Sequence, residues 1–138
     1  MDGRSFESIK VGDSATFSKT ITEADVCAFA GITGDFNPVH IDAEAAKKSM
    51  FKQRIAHGML GAGLISTVLG TKLPGPGTIY LGQEVTFKAP VFFGDTLTVE
   101  CTVTEKKEGK NILRLSAVIK NQEGKEVITG VSTVMKKD

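Results

Sequence analysis

At 138 residues and a net charge of +1, with both signs interspersed, the chain has room for one good hydrophobic core. It offers no charge asymmetry that would favour nucleic acid or an anionic membrane. No apolar run is long enough to span a bilayer, and the first residues lack the apolar core of a signal peptide, so a cytoplasmic protein is expected.

Residues 11–20 read as a weakly patterned opening strand. Thr22 and Asp25 then have the spacing of a capping box, with Val26, Phe29 and Ala30 on one helical face and Gly31 and Gly34 ending the helix. A loop from residue 33 to 41 follows, after which Asp42 caps a short helix reaching residue 48. Residues 58–70, GMLGAGLISTVLG, are apolar around nearly the whole circumference, the pattern of a buried helix. Gly61, Ala62 and Gly63 cost helix propensity there and predict close approach of sheet or ligand. The Lys72–Gly77 run, rich in Pro and Gly, is a firm stop.

The second half alternates as β-strands do. Ile79, Leu81, Val85 and Phe87 form one apolar row; Leu97, Val99, Cys101 and Val103 another; Leu113, Leu115, Ala117 and Ile119 a third; a less regular strand covers residues 127–135. The turns at 94–95, 108–110 and 121–124 are short, as antiparallel neighbours require. Cys27 and Cys101, without CxxC spacing, sit in apolar patterns and are expected as two buried, reduced thiols. These elements predict one α+β domain over residues 1–138, an antiparallel β-sheet wrapped around a long central apolar helix. The edges of such a sheet favour pairing with a second copy, so a homodimer is expected.

The chemistry concentrates between residues 31 and 66. Asp35 and His40 share one short loop stiffened by Asn37 and Pro38, where a carboxylate and an imidazole can grip one water molecule. Gly58 opens the apolar helix, whose first N–H groups have no intrahelical acceptor and favour a developing negative charge on a carbonyl oxygen. Asn37 braces the loop or the water through its amide. His57 reads as a structural histidine bonded to nearby backbone, and Ser66, on the helix, as either a supporting group or one bonded back to its own helix. The spacing of Asp35, His40, Asp42 and His57 matches no zinc pattern, and no phosphate-binding glycine frame is present.

The run Ala30-Gly31-Ile32-Thr33-Gly34-Asp35-Phe36-Asn37-Pro38-Val39-His40-Ile41-Asp42 resembles the signature of the MaoC-like, (R)-specific enoyl-CoA hydratases, the "hydratase 2" group of hot-dog-fold proteins. Residues 55–60 and 87–97 are similar to further segments of that group. The resemblance implies a single hot-dog domain, usually dimeric, that adds water to a trans-2-enoyl thioester to give the (R)-3-hydroxyacyl product. It implies no metal and no redox cofactor. Matched position by position, it makes Asp35 and His40 the water-activating pair, Gly58 the amide that polarises the thioester carbonyl, and Ser66 a supporting serine. The expected partner is an acyl-CoA or acyl-carrier-bound thioester. A hot-dog thioesterase and a non-catalytic acyl-binding module are the alternatives the same fold allows. Lys72, Lys88 and Arg54 are candidates to meet phosphates of the carrier.

Overall fold

A computed structural model describes residues 3–137. After a short 3-10 turn at Phe6–Ser8, strand β1 (Ser14–Thr20) leads into helix α1 (Glu23–Thr33), two short helices α2 (Pro38–Ile41) and α3 (Ala43–Lys47), and the long helix α4 (Gly58–Thr71). Strands β2 (Thr78–Phe87), β3 (Thr96–Lys107), β4 (Ile112–Lys120) and β5 (Glu126–Lys136) complete the chain. The five strands form one antiparallel sheet in the order β1-β3-β4-β5-β2.

The alternation of β3 and β4 is what places the core. Leu97, Val99, Cys101 and Val103 are all buried, and so are Leu113, Leu115, Ala117 and Ile119 across the ladder, with Val99 opposite Ile119 and Val103 opposite Leu115. This row forms a single core with Ile65, Val68 and Leu69 of α4, each fully buried. Removing one such side chain from water is worth about 1.5–3 kcal/mol. The sheet therefore holds α4 by one broad apolar face, and α4 carries the glycine that opens the site.

The capping box forms as its spacing predicts: Asp25 N–H donates to Thr22 Oγ1 at 3.1 Å and Thr22 N–H to Asp25 Oδ2 at 3.0 Å. Helix α1 runs through Gly31 and ends only at Gly34, whose φ of 83° is the left-handed conformation glycine supplies.

Several expectations are corrected. Helix α4 is not buried all round: Met59 is 60% exposed, and Gly63, Ser66 and Gly70 lie on the same open side, because only one sheet covers the helix in one chain. Gly61 does mark a close approach, since a Cβ there would sit 2.7 Å from Ile128 Cδ1, whereas Gly63 faces open space. Cys27 is exposed, because a helix turns 100° between Val26, which points inward, and the next residue. The turn at Gly94 and Asp95 does not join neighbours. Strand β2 lies at the far edge from β1, and residues 88–95 carry the chain across to β3, stitched by Gly94 N–H to Ile21 O at 2.7 Å and Ile21 N–H to Asp95 O at 2.8 Å. The apolar row of β2 is largely uncovered, with Ile79, Leu81 and Phe87 exposed along an edge that also bulges between Tyr80 and Gly82.

Candidate active site

The segment predicted as a loop contains a full turn of helix. Asn37 Oδ1 accepts the Val39 N–H at 3.2 Å and so caps α2, and Pro38 occupies the first helical position, where a missing N–H costs nothing. His40 sits one turn on, its N–H bonded to Asn37 O at 2.9 Å. Asp35 follows the left-handed Gly34; its N–H meets Thr33 Oγ1 at 3.1 Å, and its Oδ1 accepts the Asn37 N–H at 3.2 Å.

A second segment, residues 54–57, locks this turn in place. Ile55 N–H donates to Val39 O at 3.2 Å, and Arg54 Nε donates to His40 O at 2.8 Å. The Arg54 guanidinium also pairs with Glu23 at the start of α1 and lies 4.9 Å from the centre of the Phe93 ring. Ala56 N–H reaches Val91 O at 2.8 Å, which ties the whole assembly to the crossing segment.

His40 is buried, and its Nδ1 lies 2.7 Å from Ile55 O. A carbonyl only accepts, so Nδ1 carries a hydrogen, and in the neutral imidazole it is Nε2 that keeps the lone pair. Asp35, His40, His57 and Gly58 together line a cavity of about 520 Å³ whose other walls are mainly apolar, among them Phe51 and Phe87. Asp35 is exposed at the mouth while His40 is set deeper.

Gly58 is the first residue of α4, where backbone N–H groups have no intrahelical acceptor. A Cβ on Gly58 would lie 2.7 Å from Phe87 Cε1 and 2.8 Å from Cδ1. The absent side chain thus makes room for an aromatic ring, a close approach that helix propensity alone could not reveal.

His57, expected to serve structure, is buried; its Nε2 donates to the backbone oxygen of Asp35 at 2.9 Å, and its ring stacks on His40 with centroids 3.8 Å apart. One ligand atom each from Asp35, His40 and His57 lies within 4.8 Å of the other two. The His40 and His57 nitrogens that already donate to carbonyls are not available to a cation, and Asp42 is spent capping α3 through Glu44 and Ala45 N–H. The arrangement suits proton transfer at the end of an apolar slot.

Ser66 is exposed on the open face of α4 and does not line the cavity; eight residues from Gly58, it is about 12 Å further along the helix axis. Of the three cations expected to meet carrier phosphates, Lys72 donates to Thr16 O at 2.6 Å and Arg54 is engaged as above. Lys88 lines the cavity and pairs with Glu126 at 3.3 Å.

Comparison with known proteins shows the family and the fold. The family model described as MaoC like domain matches residues 8–126. An (R)-specific enoyl-CoA hydratase of Rhodospirillum rubrum is 51% identical over 130 residues, covering 94% of this chain and 90% of that protein. One of Aeromonas caviae is 46% identical, covering 94% and 97%. An R-hydratase from Pseudomonas aeruginosa, solved in its unliganded form, matches with a TM-score of 0.93 at 46% identity, over 99% of this chain and 87% of that one. The sheet wrapped around α4 is the hot-dog fold those structures share, and this chain belongs to the MaoC-like domain family.

Proposed function

We propose that this protein is a hydro-lyase that adds water to trans-2-enoyl-CoA to give (R)-3-hydroxyacyl-CoA, and reverses the reaction. The observation that carries the reading is the Nδ1–H of His40 held on Ile55 O at 2.7 Å, which presents Nε2 as a base beside Asp35 in an apolar slot. Two (R)-specific enoyl-CoA hydratases, 51% and 46% identical over nearly the full chain, support the substrate class.

In the proposed mechanism a water held between Asp35 and His40 attacks the β-carbon, and its proton passes to His40 Nε2. The electron pair of the double bond moves to the α-carbon and the thioester oxygen, where the Gly58 N–H stabilises the developing enolate. Asp35 and His40 between them return a proton to the α-carbon, so the pair ends as it began. Asn37 supports the site by capping α2. No cofactor is assigned.

A second copy of the chain is part of the proposal. Among the described residues the outer edge of β2 has no paired strand, with Ile79, Tyr80 and Leu81 exposed beside it, and an uncovered apolar edge is relieved by pairing with its own kind. In such a dimer the open face of α4 that carries Ser66 would be covered, and the supporting role of Ser66 rests on that contact. Among the described residues no helix is long and apolar enough to cross a membrane, and a cytoplasmic location is proposed with the rest.

The test is a chain-length series of trans-2-enoyl-CoAs, followed by loss of the conjugated absorbance and by chiral analysis of the product, with the oligomer mass measured in the same buffer. An (R)-3-hydroxyacyl product supports the reading. Release of free thiol without hydration would replace it with a thioesterase, and thermal stabilisation by the thioester without turnover would replace it with a binding module.

A further inference from the structure

We propose that His57 is a positioning residue that fixes Asp35 and His40 relative to one another, through its hydrogen bond to the Asp35 carbonyl and its stack on the His40 ring. The kinetic arm of this inference rests on the hydratase reading above; the structural arm does not.

His57 is only 3% exposed, and its two polar atoms have different fates. Nε2 faces the Asp35 carbonyl at 2.9 Å and must carry the ring hydrogen. Nδ1 is buried and has no hydrogen-bond partner among the described residues. Although His57 is the N-cap of α4, it makes no side-chain capping bond, so helix capping does not account for it. A buried polar atom left unpaired costs stability, and proteins retain few of them.

Simpler side chains would avoid that cost. A phenylalanine would fill the space with no polar atom at all, and a glutamine would offer the donor without the ring. Only a side chain with an N–H at that reach and a flat face can hold both neighbours. The ring has two aromatic neighbours: the His40 ring is stacked at 3.8 Å and 29°, and Phe29 of α1 meets His57 at 4.7 Å and 51°. Phe29, His57 and His40 thus form a small cluster that links α1, the start of α4 and α2. Asp35 hangs from the same imidazole by its main chain. The carboxylate and the base belong to one loop only five residues apart, yet their relative placement is set by a residue 22 positions downstream of Asp35.

Alignment at this level matters for rate, since a displacement of about 1 Å can cost on the order of 10²-fold. The experiment uses His57→Ala, His57→Phe, which keeps the stack, and His57→Gln, which keeps the donor. For each variant kcat, KM and Tm are measured, and amide hydrogen exchange is followed over residues 33–41. We expect His57→Ala to lose about 10²-fold in kcat with KM changed less than about threefold, and the Phe and Gln variants to recover part of the loss. Exchange over residues 33–41 should quicken in the Ala and Phe variants and stay near wild type in the Gln variant. Should His57→Ala fail to fold, the two larger substitutions decide the matter by the same readouts. Unchanged kcat and exchange, or a loss that follows Tm alone and is recovered by neither conservative variant, overturns the inference. An inactive wild type whose exchange still responds as expected overturns the hydratase reading and leaves the positioning role supported.

Discussion

His40 Nδ1 and Ile55 O lie 2.7 Å apart, and this one contact decides which imidazole nitrogen can act. The carbonyl belongs to a residue whose own N–H is bonded to Val39 O, so imidazole and backbone are held as one unit. In the proposed mechanism an imidazole with its second nitrogen anchored presents one fixed tautomer when neutral and keeps its ring orientation when it takes up a proton.

The first prediction concerns the proposed pair. His40→Ala and Asp35→Asn should each lower kcat for enoyl-CoA hydration by roughly 10²–10⁴-fold, the usual range for a positioned acid or base. Far-UV circular dichroism should remain close to wild type in both. Tm should hardly move in Asp35→Asn, where the residue is exposed and Oδ1 is kept, and should fall by an amount worth about 1–3 kcal/mol in His40→Ala, which leaves the Ile55 carbonyl without its buried partner. Activity retained within tenfold in both variants would remove the pair from the mechanism.

Gly58→Ala should act on both stability and rate. The new Cβ would sit 2.7 Å from a Phe87 ring atom, and because Phe87 is 51% exposed the ring can swing away. The expected cost is about 1 kcal/mol, the low end for overpacking, with a larger loss in kcat/KM as the ring moves at the cavity wall. Phe87→Leu in the same chain should recover part of the stability, a coupling that denaturant melts of the two single variants and the double variant would measure.

The two thiols should separate cleanly. Cys101 is wholly buried in β3 and burial pushes its thiol up to about 12, whereas Cys27 is exposed on α1. A thiolate-specific reagent should therefore modify Cys27 alone in the native protein and reach Cys101 only on unfolding. Mass spectrometry of native and denatured samples reads the difference. Rapid native modification at Cys101 would contradict the packing described.

Acid should weaken the start of α1. The Thr22 backbone N–H donates to Asp25, and Lys19 Nζ stands 3.1 Å from it, so the Asp25 carboxyl is held below its ordinary 3.8 despite the opposing cost of burial. The unfolded chain then binds the proton more readily than the folded one. The stabilisation is complete above pH 3.8 and is lost as pH falls through the lower folded value. Relative to wild type, Asp25→Asn should be less stable at neutral pH, with the gap closing below that point. A gap independent of pH would mean the carboxylate charge contributes nothing.

What could be read from the chain alone was whatever depends on period and on near neighbours. The Thr22–Asp25 box, the alternating rows of β3 and β4, and the Asp35-to-His40 run all rest on chemistry within a few residues, so spacing suffices to find them. Asn37 and Pro38 were legible as loop stiffeners for the same reason, although the helical turn they start was not. The contacts that make a site of these residues join distant segments: Ile55 O to His40, 15 residues away, and His57 to Asp35 across 22. The exposure of Cys27, Met59 and Ser66 and the placement of β2 at an edge also needed the folded chain. Periodicity says which face of an element is apolar, and only the packed arrangement says how much of that face one sheet can cover. A glycine shows where a side chain is missing; the Phe87 ring filling the space beside Gly58 is a fact of tertiary structure, because no local interaction brings those two residues together.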